Sequence, residues 1–367
     1  MELKNSMKAI EFYSGVGGFS LGVKRAGFDV MAAFEIDWRH VETYNKNFKG
    51  DLAIKEDVSR IDFEKNDYGV DISDLDLVFG GPPCQGFSTG GKQILDDARN
   101  DQIIKFAELV VQLNPRCFVM ENVSGILNKK FINRLDRFYS LLKKNGYTVY
   151  DPLILNAKNY IVPQDRKRVF FFGLKKRIPS NSLILKIDMD SLPQENITVY
   201  DALTDILHVN LEPNSTDVFD GSRGQFSEYS NLLSQGRSCD SNFANVNSRY
   251  LTGCMTTLHS AQIIKRFAGT LPGQTEPISR YKRLSLNGVS PTLRAGTMRG
   301  MGQFMAPRPI HPIHNRCITT REAARLHSFP DWFVFYPTKW YGMMQIGNSV
   351  PPHLSESIGL TITKILN

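Results

Sequence analysis

Short apolar runs alternate with polar and glycine-rich stretches along the first third of the chain. Four of these runs have the length and composition of buried β-strands, at residues 8–13, 30–34, 75–79 and 117–120. Segments with helical spacing lie between them and include Gln102–Leu113. Strands that alternate with helices in this way predict an α/β fold built on an open, mainly parallel sheet.

A side chain capable of chemistry stands at or just beyond the end of each predicted strand. Tyr13, Glu35 and Glu121 end three of them, and Cys84 follows the other across the turn Gly80-Gly81-Pro82-Pro83. The carboxyl ends of parallel strands share one edge of the sheet, and ligands bind at that edge. We therefore expect these four side chains to lie close together.

A glycine-rich turn, Ser14-Gly15-Val16-Gly17-Gly18, separates the first strand from a predicted helix at Phe19–Ala26. This order of strand, turn and helix is typical of nucleotide-binding folds. The third glycine of the dinucleotide pattern falls at Ser20, so a pyrophosphate is not specifically indicated. Glu35 follows at the distance where such folds place the carboxylate that binds ribose hydroxyls. The alternative for Glu35 is a solvated helix cap.

Cys84 can be interpreted in two ways. A thiol just past a strand end, in a turn fixed by two prolines, is where a nucleophile would be presented. A free cysteine is also common as a small buried apolar residue. The five cysteines of the chain are odd in number and form no Cys-x-x-Cys pair, so they indicate neither a disulfide framework nor a zinc site. The histidines show no ligand spacing, and no metal is expected.

Three further patterns lie in the second half of the chain. In the stretch Gln-Asp-Arg-Lys-Arg at residues 164–168, the two-residue period of a strand would place the glutamine and both arginines on one face. A charged edge strand is the alternative. Thr320, followed by Arg-Glu-Ala-Ala-Arg-Leu, predicts a capped helix, and a second, apolar helix is predicted at His353–Ile365.

The composition indicates where a domain boundary lies and which class of partner the protein binds. The 367 residues suffice for one large and one smaller domain, and near 175–179 the chain becomes rich in Ser, Asn and Gly. Lys and Arg exceed Asp and Glu by 44 − 37 = 7, and residues 158–177 hold seven basic residues against one acid. This excess favours a polyanionic partner such as a nucleic acid.

The sequence also bears on compartment. The N-terminus lacks the apolar core of a signal peptide, and no apolar run reaches the ~18 residues of a membrane helix. We therefore expect a cytoplasmic protein that makes no membrane contact.

Several motifs, in order along the chain, resemble those of the DNA (cytosine-5)-methyltransferase family in its bacterial form, with a single target-recognition region. They are the Pro-Cys motif at residues 80–88, the Gln-x-Arg-x-Arg stretch at 164–168, and the segments 316–326 and 345–352. The resemblance implies a Rossmann-like large domain that binds S-adenosyl-L-methionine, formed by residues 1–177 and 338–367. It also implies a smaller, loop-rich target-recognition domain at residues 178–337.

Two departures from the family pattern lie beside the Pro-Cys motif. Residues 89–101 are predicted to form a mobile loop that closes over a substrate. Where the family has Ala-Gly-x-Arg in this loop, the chain has Gly90-Gly91-Lys92-Gln93. Gln102 stands where an apolar residue is common. We therefore carry over no detailed contacts of this loop.

By the same resemblance, one set of residues would bind S-adenosyl-L-methionine. Glu35 would bind the ribose, Ile36 would pack on the adenine, and Asp57 would accept a hydrogen bond from the adenine amino group. The glycine turn would line the methionine part, and Asn348 would also contact the cofactor. The full set is Tyr13, Gly15, Val16, Gly17, Gly18, Glu35, Ile36, Asp57, Val58, Gly81, Pro83, Asn348, Ser349 and Val350.

A second set of residues would act on the cytosine. Cys84 would add to C6, a form of covalent catalysis that activates C5 toward the methyl group. Glu121 would donate to N3, provided that burial raises its pKa enough to keep it protonated. Arg168 would hold the ring O2, and Arg166 would position Glu121 or stabilise the thiolate. The cytosine would have to be flipped out of the duplex to reach these groups.

The resemblance implies double-stranded DNA as the partner, a monomeric enzyme, and a restriction-modification or phage-defence system that would include a cognate restriction enzyme. One alternative is an RNA-directed relative that uses the same carbon chemistry. Another is a non-catalytic DNA-binding module on a decayed enzyme scaffold. The long region from about 178 to 277 favours duplex DNA, and the intact catalytic set argues against decay.

Overall fold

The computed structural model describes residues 6–83, 102–175, 197–209, 218–219, 223–235, 251–296 and 308–367. The predicted nucleophile Cys84 and the segment 89–101 lie outside these residues. Nine strands precede residue 175 in the described ranges, and eight of them form one central sheet. The nine are β1 (Met7–Phe12), β2 (Phe28–Glu35), β3 (Ala53–Lys55), β4 (Leu77–Gly80), β5 (Cys117–Asn122), β6 (Thr148–Val149), β7 (Leu153–Asn156), β8 (Gln164–Asp165) and β9 (Lys167–Leu174).

The central sheet has the order β3-β2-β1-β4-β5-β9-β6, and β7 also pairs with β9. Strands β1 to β5 are parallel to one another, which confirms the α/β prediction. The arginine-bearing strand β9 is antiparallel to β5. The chain builds outward from β1 in one direction through β2 and β3, and in the other through β4 and β5. Ligands bind in such sheets at this point of reversal.

The register of the parallel strands brings their carboxyl ends to one level. Phe12 of β1 pairs with Phe34 of β2 and with Gly80 of β4, and the same level continues into β5. The residues next in sequence, among them Tyr13 and Glu35, therefore lie along one edge. The apolar runs predicted this arrangement correctly, although β2 continues to Glu35 and β5 to Asn122, beyond their apolar residues.

Helices cover both faces of the sheet and continue into the second half of the chain. Most strands of the parallel part are followed by a helix that packs back on the sheet. In the described residues they are α1 (Gly18–Arg25), α2 (Trp38–Asn47), α3 (Gln102–Leu113), α4 (Ile132–Lys144), α5 (Val199–Leu203), α6 (Glu228–Ser234), α7 (Ala261–Ala268), α8 (Thr320–Leu326), α9 (Lys339–Asn348) and α10 (Pro352–Leu366).

Alternate residues of the strands belong to two apolar layers, one on each face of the sheet. One layer joins residues such as Ile10 and Phe118 to the buried sides of α3 and α4. The other joins residues such as Ala9 and Phe79 to α1 and the C-terminal helix α10. Helix α10 lies so close to α1 that a Cβ on Gly22 would overlap Ser355 and its neighbours. The last helix of the chain is therefore packed on the first.

A third apolar cluster joins the glycine turn to the second half of the chain. It contains Val16 and Tyr44 from the start of the chain, Leu203 of α5, Leu326 of α8 and Ile346 of α9. Three short strands also belong to this half: β10 (Val218–Phe219), which pairs with β11 (Leu251–Thr252), and β12 (Ser290–Pro291), which pairs with β8. The described parts of residues 197–346 thus share a continuous core with the glycine turn and α2.

The cap of helix α8 is one residue earlier than the sequence suggested. Thr319, not Thr320, accepts from the N–H of Glu322, and the Glu322 carboxylate accepts in return from the N–H of Thr319 at 2.7 Å. This reciprocal pair needs a threonine three residues before the glutamate, and only Thr319 has that spacing. Glu322 also binds Arg316 through two hydrogen bonds of 2.7 and 2.9 Å.

Candidate active site

Glu35 is the centre of the predicted cofactor half of the site. One carboxylate oxygen accepts from the N–H of Gly15 at 2.9 Å, and the other accepts from the N–H of Asp37 at 2.9 Å. The second oxygen also lies 3.5 Å from Nδ1 of His40. Burial opposes ionisation of this carboxyl, but the contacts with His40 and the two N–H groups prevail and lower its pKa. Glu35 is therefore an ionised, nearly buried acceptor that ties the glycine turn to the end of β2.

The glycine turn combines one open position with two that serve packing. Gly15 has φ of +54°, and a Cβ added there would meet nothing within 4 Å. At Gly17 the same atom would lie 2.6 to 2.7 Å from the rings of Phe48 and Tyr44, and at Gly18 it would lie 2.6 Å from the Val350 carbonyl. Of these three glycines, Gly15 alone therefore leaves room for a ligand. The side chain of Val16 lies in the core.

The predicted adenine residues line an open pocket of about 340 Å³ beside the end of β2. Ile36 is 60 % exposed there and offers an apolar face to this pocket. Asp57 accepts from the N–H of Ser59 at 3.0 Å and so caps the short 3₁₀ turn Val58–Arg60. Val58 is buried beneath this turn. The structure brings Ile36 and Asp57 together at this pocket.

Glu121 and Arg168 form the centre of the predicted catalytic half. Nε of Arg168 lies 2.9 Å from a Glu121 carboxylate oxygen, across the antiparallel pair of β5 and β9. Burial raises the pKa of the Glu121 carboxyl, against the opposing charges of Arg168 and Arg166. A raised pKa keeps the carboxyl protonated to higher pH, which its predicted role as a proton donor requires.

The turn that leads to Cys84 is held against Glu121. A Cβ on Gly81 would lie 3.1 Å from a Glu121 oxygen, so only a residue without a side chain fits there without displacing the carboxylate. Nδ2 of Asn122 donates to the carbonyl of Pro82 at 3.2 Å. Pro83 is the last residue described before Cys84. Residues 81–83, which follow β4 and precede Cys84, therefore lie beside Glu121 and Asn122.

Three cysteines within the described residues, Cys117, Cys254 and Cys317, are buried and form no disulfide. Burial raises the pKa of the Cys317 thiol to about 12, and it also raises the pKa of the Cys117 thiol. Neither thiol is activated as a nucleophile, because an active cysteine needs a lowered pKa. Cys117 lies within β5, where the sequence predicted a core residue.

Arg166 is almost fully buried, and its guanidinium binds backbone. Nη1 donates to the carbonyl of Leu293 at 3.0 Å, and Nη2 donates to those of Gly347 and Ser349 at 2.9 Å each. The guanidinium charge also opposes the raised pKa of Glu121. Arg166 therefore connects β9 to the segment between α9 and α10, in addition to acting on Glu121 through its charge.

The C-terminal residues of the predicted cofactor set differ in their surroundings. Asn348 is exposed at the end of α9, where its side chain can reach a ligand. Ser349 is buried, and its hydroxyl donates to the carbonyl of Gln345 at 2.9 Å. Val350 packs in the core against α1. Of these three residues, only Asn348 presents its side chain outward.

Sequence reasoning missed the hydrogen-bonded junction around His327. Nδ1 of His327 lies 2.9 Å from Nε2 of Gln164, and its Nε2 lies 3.0 Å from the carbonyl of Ser349. Oε1 of Gln164 accepts from the N–H of Leu293 at 3.1 Å. These partners require the ring to be neutral with its proton on Nε2. No local pattern marks His327, because its partners are distant in the sequence.

Two features are absent from the described residues, a cluster of metal ligands and a membrane-spanning helix. No group of three or more His, Cys, Asp or Glu side chains is arranged to hold a metal ion within the ranges given above. None of the helices in those ranges is both long and apolar enough to cross a bilayer.

Known proteins resemble this chain along nearly its whole length. A type II methyltransferase of Xanthomonas oryzae, M.XorII, is 40 % identical over 97 % of this chain and 84 % of its own. M.DdeI of Desulfomicrobium norvegicum, also a type II methyltransferase, is 33 % identical over 97 % of this chain and 88 % of its own.

Solved structures give the same result for the fold. The crystal structure of a putative DNA modification methyltransferase encoded within an E. coli prophage has a TM-score of 0.81 and 36 % identity, with 99 % of this chain and 100 % of that chain covered. The family model for C-5 cytosine-specific DNA methylases matches residues 7–364. The chain therefore belongs to the C-5 cytosine-specific DNA methylases, with the Rossmann-like α/β fold of that family, and the enzyme is a DNA (cytosine-5)-methyltransferase.

Proposed function

We propose that the enzyme transfers a methyl group from S-adenosyl-L-methionine to C5 of a cytosine that is flipped out of duplex DNA. The observation that carries this proposal is the arrangement of two side-chain pairs on one sheet edge. Glu35 with Gly15 stands at the end of β2, and Glu121 with Arg168 stands at the end of β5. The end of β4, which leads to Cys84, lies between them.

The cofactor half fits S-adenosyl-L-methionine in its described residues. Gly15 leaves open space, Ile36 offers an exposed apolar face, and Asp57 stands at the same pocket. Glu35 is ionised and can accept from ribose hydroxyls in addition to its two N–H partners, because a carboxylate has about four acceptor positions. The bound cofactor would supply an electrophilic methyl group. In the part of the chain that the structure describes, the donor set contains no cluster that calls for a metal.

Cys84 would start the reaction on the cytosine. Its thiolate adds to C6, and the electron pair of the C5–C6 bond makes C5 nucleophilic enough to take the methyl group. Loss of the proton from C5 to a base then lets the S–C6 bond break, which restores the aromatic ring and the thiolate. The turn 81–83, held against Glu121 by Asn122, supports this role for the residue that follows it.

Glu121 and the two arginines would stabilise the ring during this addition. Negative charge accumulates on the cytosine at N3 and O2 when the thiolate adds, so a donor is needed at each. Protonated Glu121 would serve N3, and the raised pKa of its carboxyl supports that role. Arg168 would serve O2 from its position 2.9 Å from Glu121. Arg166 would act through its charge and by fixing the backbone around Ser349.

Two arguments support DNA as the partner: how the reacting atoms of the cytosine are reached, and the net charge of the protein. None of the reacting atoms can be reached inside a base-paired stack, so the cytosine has to leave the duplex. The net charge of +7 favours binding to phosphates. We assign the recognised sequence to a target-recognition domain at residues 178–337 and the chemistry to residues 1–177 and 338–367. An RNA substrate is the alternative that the test below addresses.

The biological setting is proposed from the relatives. Both relatives named above are type II methyltransferases. We therefore infer that this enzyme protects host DNA in a restriction-modification or phage-defence system, beside a cognate restriction enzyme. We also propose, independently of these relatives, that it acts as a monomer.

Bisulfite sequencing of DNA from cells that express the enzyme tests the proposal directly. Cytosines in one short sequence should resist conversion, and those in cells with Cys84→Ser should not. Labelled S-adenosyl-L-methionine supplied to purified enzyme should pass its methyl group to duplex DNA. Label in tRNA with none in DNA would overturn the DNA assignment in favour of RNA.

The covalent step has its own test. Once the target sequence is known, duplex DNA with 5-fluorocytosine at the target should trap the enzyme, because fluorine cannot leave C5 as a proton does. The trapped peptide should contain Cys84, and Cys84→Ser should not be trapped. A trapped peptide that contains Cys117, Cys239, Cys254 or Cys317 would refute the assignment of the nucleophile.

A further inference from the structure

A hydrogen bond links the turn of the predicted cofactor site to the first residue of α3. The hydroxyl of Tyr13 donates to Oε1 of Gln102 at 2.9 Å and lies 3.2 Å from the backbone carbonyl of the same residue. Tyr13 follows β1 directly, and Gln102 comes 89 positions later. Two parts of the chain that are distant in sequence thus meet at the sheet edge that carries the candidate site.

Tyr13 is held in an uncommon backbone conformation. Its φ is +57°, in the left-handed region that non-glycine residues rarely occupy. Such a conformation persists where the surroundings hold the residue in place. The ring of Tyr13 packs on the apolar layer that contains Phe12 and Phe34, and its hydroxyl is fixed by Gln102. Burial raises the pKa of this hydroxyl, so it remains a hydrogen-bond donor at neutral pH.

Helix α3 is held by a tyrosine hydroxyl at each end. At its carboxyl end the hydroxyl of Tyr147 donates to the carbonyl of Pro115 at 2.9 Å and lies 3.4 Å from that of Val110. This second contact lies where α3 leads into the start of β5, away from the edge with Glu35 and Glu121. The two contacts have the same chemistry, but only the one made by Tyr13 touches the candidate site.

Gln102 also has a particular place in the chain. It is the first residue of α3, and residues 84–101, which begin with Cys84, precede it. Two residues before the other end of that stretch, the carbonyl of Pro82 is held by Asn122. Gln102 is one of the residues that departs from the family pattern, and its amide oxygen is the atom that accepts from Tyr13.

We propose that the Tyr13–Gln102 hydrogen bond is a positioning contact that couples cofactor binding to the placement of the first turn of α3. The proposal rests on the proposed function, because it takes Tyr13 to line the cofactor site. A cofactor that packs against the Tyr13 ring favours one position of that ring. The hydroxyl at its far end transmits the preference to Gln102. Neither residue exchanges protons with the substrate.

A double-mutant cycle tests the coupling. Tyr13→Phe removes only the hydroxyl, Gln102→Leu removes only the amide, and the third variant carries both changes. Calorimetry gives the dissociation constant for S-adenosyl-L-methionine. Transfer of labelled methyl in a single turnover, on unmethylated genomic DNA with cofactor saturating, gives the rate of the reaction. Tyr147→Phe is the matched control, since it removes the equivalent hydroxyl at the other end of α3.

Loss of one shared hydrogen bond predicts a definite pattern. Tyr13→Phe should weaken cofactor affinity about three- to tenfold and slow single-turnover transfer. Gln102→Leu should show a smaller loss of the same kind, because the backbone carbonyl of Gln102 still accepts from Tyr13. The double variant should be no worse than Tyr13→Phe alone. Tyr147→Phe should lower the melting temperature and leave both measurements unchanged.

Several results would overturn the coupling. They are additive losses in the double variant, normal affinity and rate in Gln102→Leu, or equal losses in Tyr147→Phe. Gln102→Leu removes the side-chain bond from the other side, so it tests the coupling by itself if Tyr13→Phe does not fold. A wild-type enzyme that binds no S-adenosyl-L-methionine would instead refute the proposed function.

Discussion

Glu35 and Glu121 are each subject to one influence that raises the pKa of the carboxyl and to others that lower it. The balance differs, so the two pKa values shift in opposite directions. Glu35 is buried, but two N–H groups and His40 favour its charged form and its pKa falls. Glu121 has Arg168 beside it, yet burial prevails and its pKa rises. The two pKa shifts thus suit the proposed roles, with Glu35 as an ionised acceptor and Glu121 as a donor.

Glu35→Ala should weaken binding of S-adenosyl-L-methionine about ten- to a hundredfold, because a hydrogen bond to a charged acceptor is lost. Glu35→Gln should lose less, since its amide oxygen can still accept from Gly15. Calorimetry measures both, and DNA affinity should stay nearly intact. Asp37→Ala is the control: it removes the cap of α2 and should cost about 1 kcal/mol of stability while leaving cofactor affinity unchanged. Unchanged affinity in Glu35→Ala would remove Glu35 from the site.

Glu121→Gln should slow methyl transfer by about 10² to 10⁴-fold, the usual contribution of a positioned proton donor. The same change should alter the pH dependence of stability. The folded protein keeps a proton on Glu121 above the ordinary pKa of 4.5, where the unfolded chain has lost it. The contribution of Glu121 to the free energy of unfolding therefore falls as pH rises from 4.5 through the folded pKa. Glu121→Gln abolishes that fall.

Urea unfolding from pH 4.5 to 8, compared with the exposed control Glu108→Gln, measures the effect of Glu121 on stability. Parallel pH profiles for wild type and Glu121→Gln would mean that the Glu121 pKa is ordinary. A rate of methyl transfer in Glu121→Gln close to that of wild type would show that Glu121 is not the donor to N3.

At the scale of elements, the stretch 164–168 does more than present arginines. Gln164 and Arg166 bind the backbone at Leu293 and, with His327, hold the segment between α9 and α10. Arg168 alone of the three turns to Glu121. The strand that carries the predicted base-binding arginine is thus fixed to the segment that carries Asn348, so the two halves of the site share one support.

His327→Gln should make the enzyme less sensitive to acid. Burial lowers the pKa of His327 well below 6.5, so the folded protein stays unprotonated there while the unfolded chain takes up a proton as pH falls. Stability from this group is present above pH 6.5 and is lost below it, at about 1.4 kcal/mol per pH unit. Glutamine can both donate and accept in place of the ring but does not titrate.

Urea unfolding at pH 7, 6 and 5 should show the smaller slope in His327→Gln, and the exposed control His208→Gln should match the wild type. An unchanged slope in His327→Gln would mean that the ring takes up its proton over the same pH range in the folded protein as in the unfolded chain. His327→Leu should destabilise at every pH by about 1 to 3 kcal/mol, because the amide of Gln164 loses its buried partner.

The sequence predicted the elements that depend on local pattern and missed those that depend on distant partners. Strands β1, β2, β4 and β5 follow from their apolar runs, and the register then brings Glu35 and Glu121 to one edge. The carbonyls that Arg166 binds lie more than 120 positions away, and nothing in its neighbourhood indicates them. The packing roles of Gly17 and Gly18 were hidden for the same reason.

At the scale of the whole molecule, the described second half of the chain is joined to the first by buried charge as well as by apolar packing. Arg325 of α8 is fully buried between Asp205 and Asp331, with hydrogen bonds of 2.7 to 3.0 Å among its contacts. Removing one partner of such a group leaves an uncompensated buried charge, which commonly costs about 3–5 kcal/mol. A chimera made by exchanging segments between relatives therefore has to keep the acidic partners of Arg325.

Replacing residues 180–277 with the matching region of a relative should change the methylated DNA sequence while the chemistry persists. Bisulfite sequencing of cells that express the chimera measures the outcome. A chimera that keeps Asp205 should fold, and a matched chimera with Asn at that position should be less stable because Arg325 loses a charged partner. A folded chimera that still modifies the original sequence would show that recognition lies elsewhere.

The close packing of α10 on α1 has a consequence for the order of events during synthesis. Helix α1 leaves the ribosome long before α10, so the surface that Gly22 and Gly359 shape between the two helices stays uncovered while the intervening chain is made. Contacts between such distant segments form late and slow the folding of a domain. The growing chain therefore exposes an apolar face of α1 until α10 has been made, and that helix completes the apolar layer that α1 began.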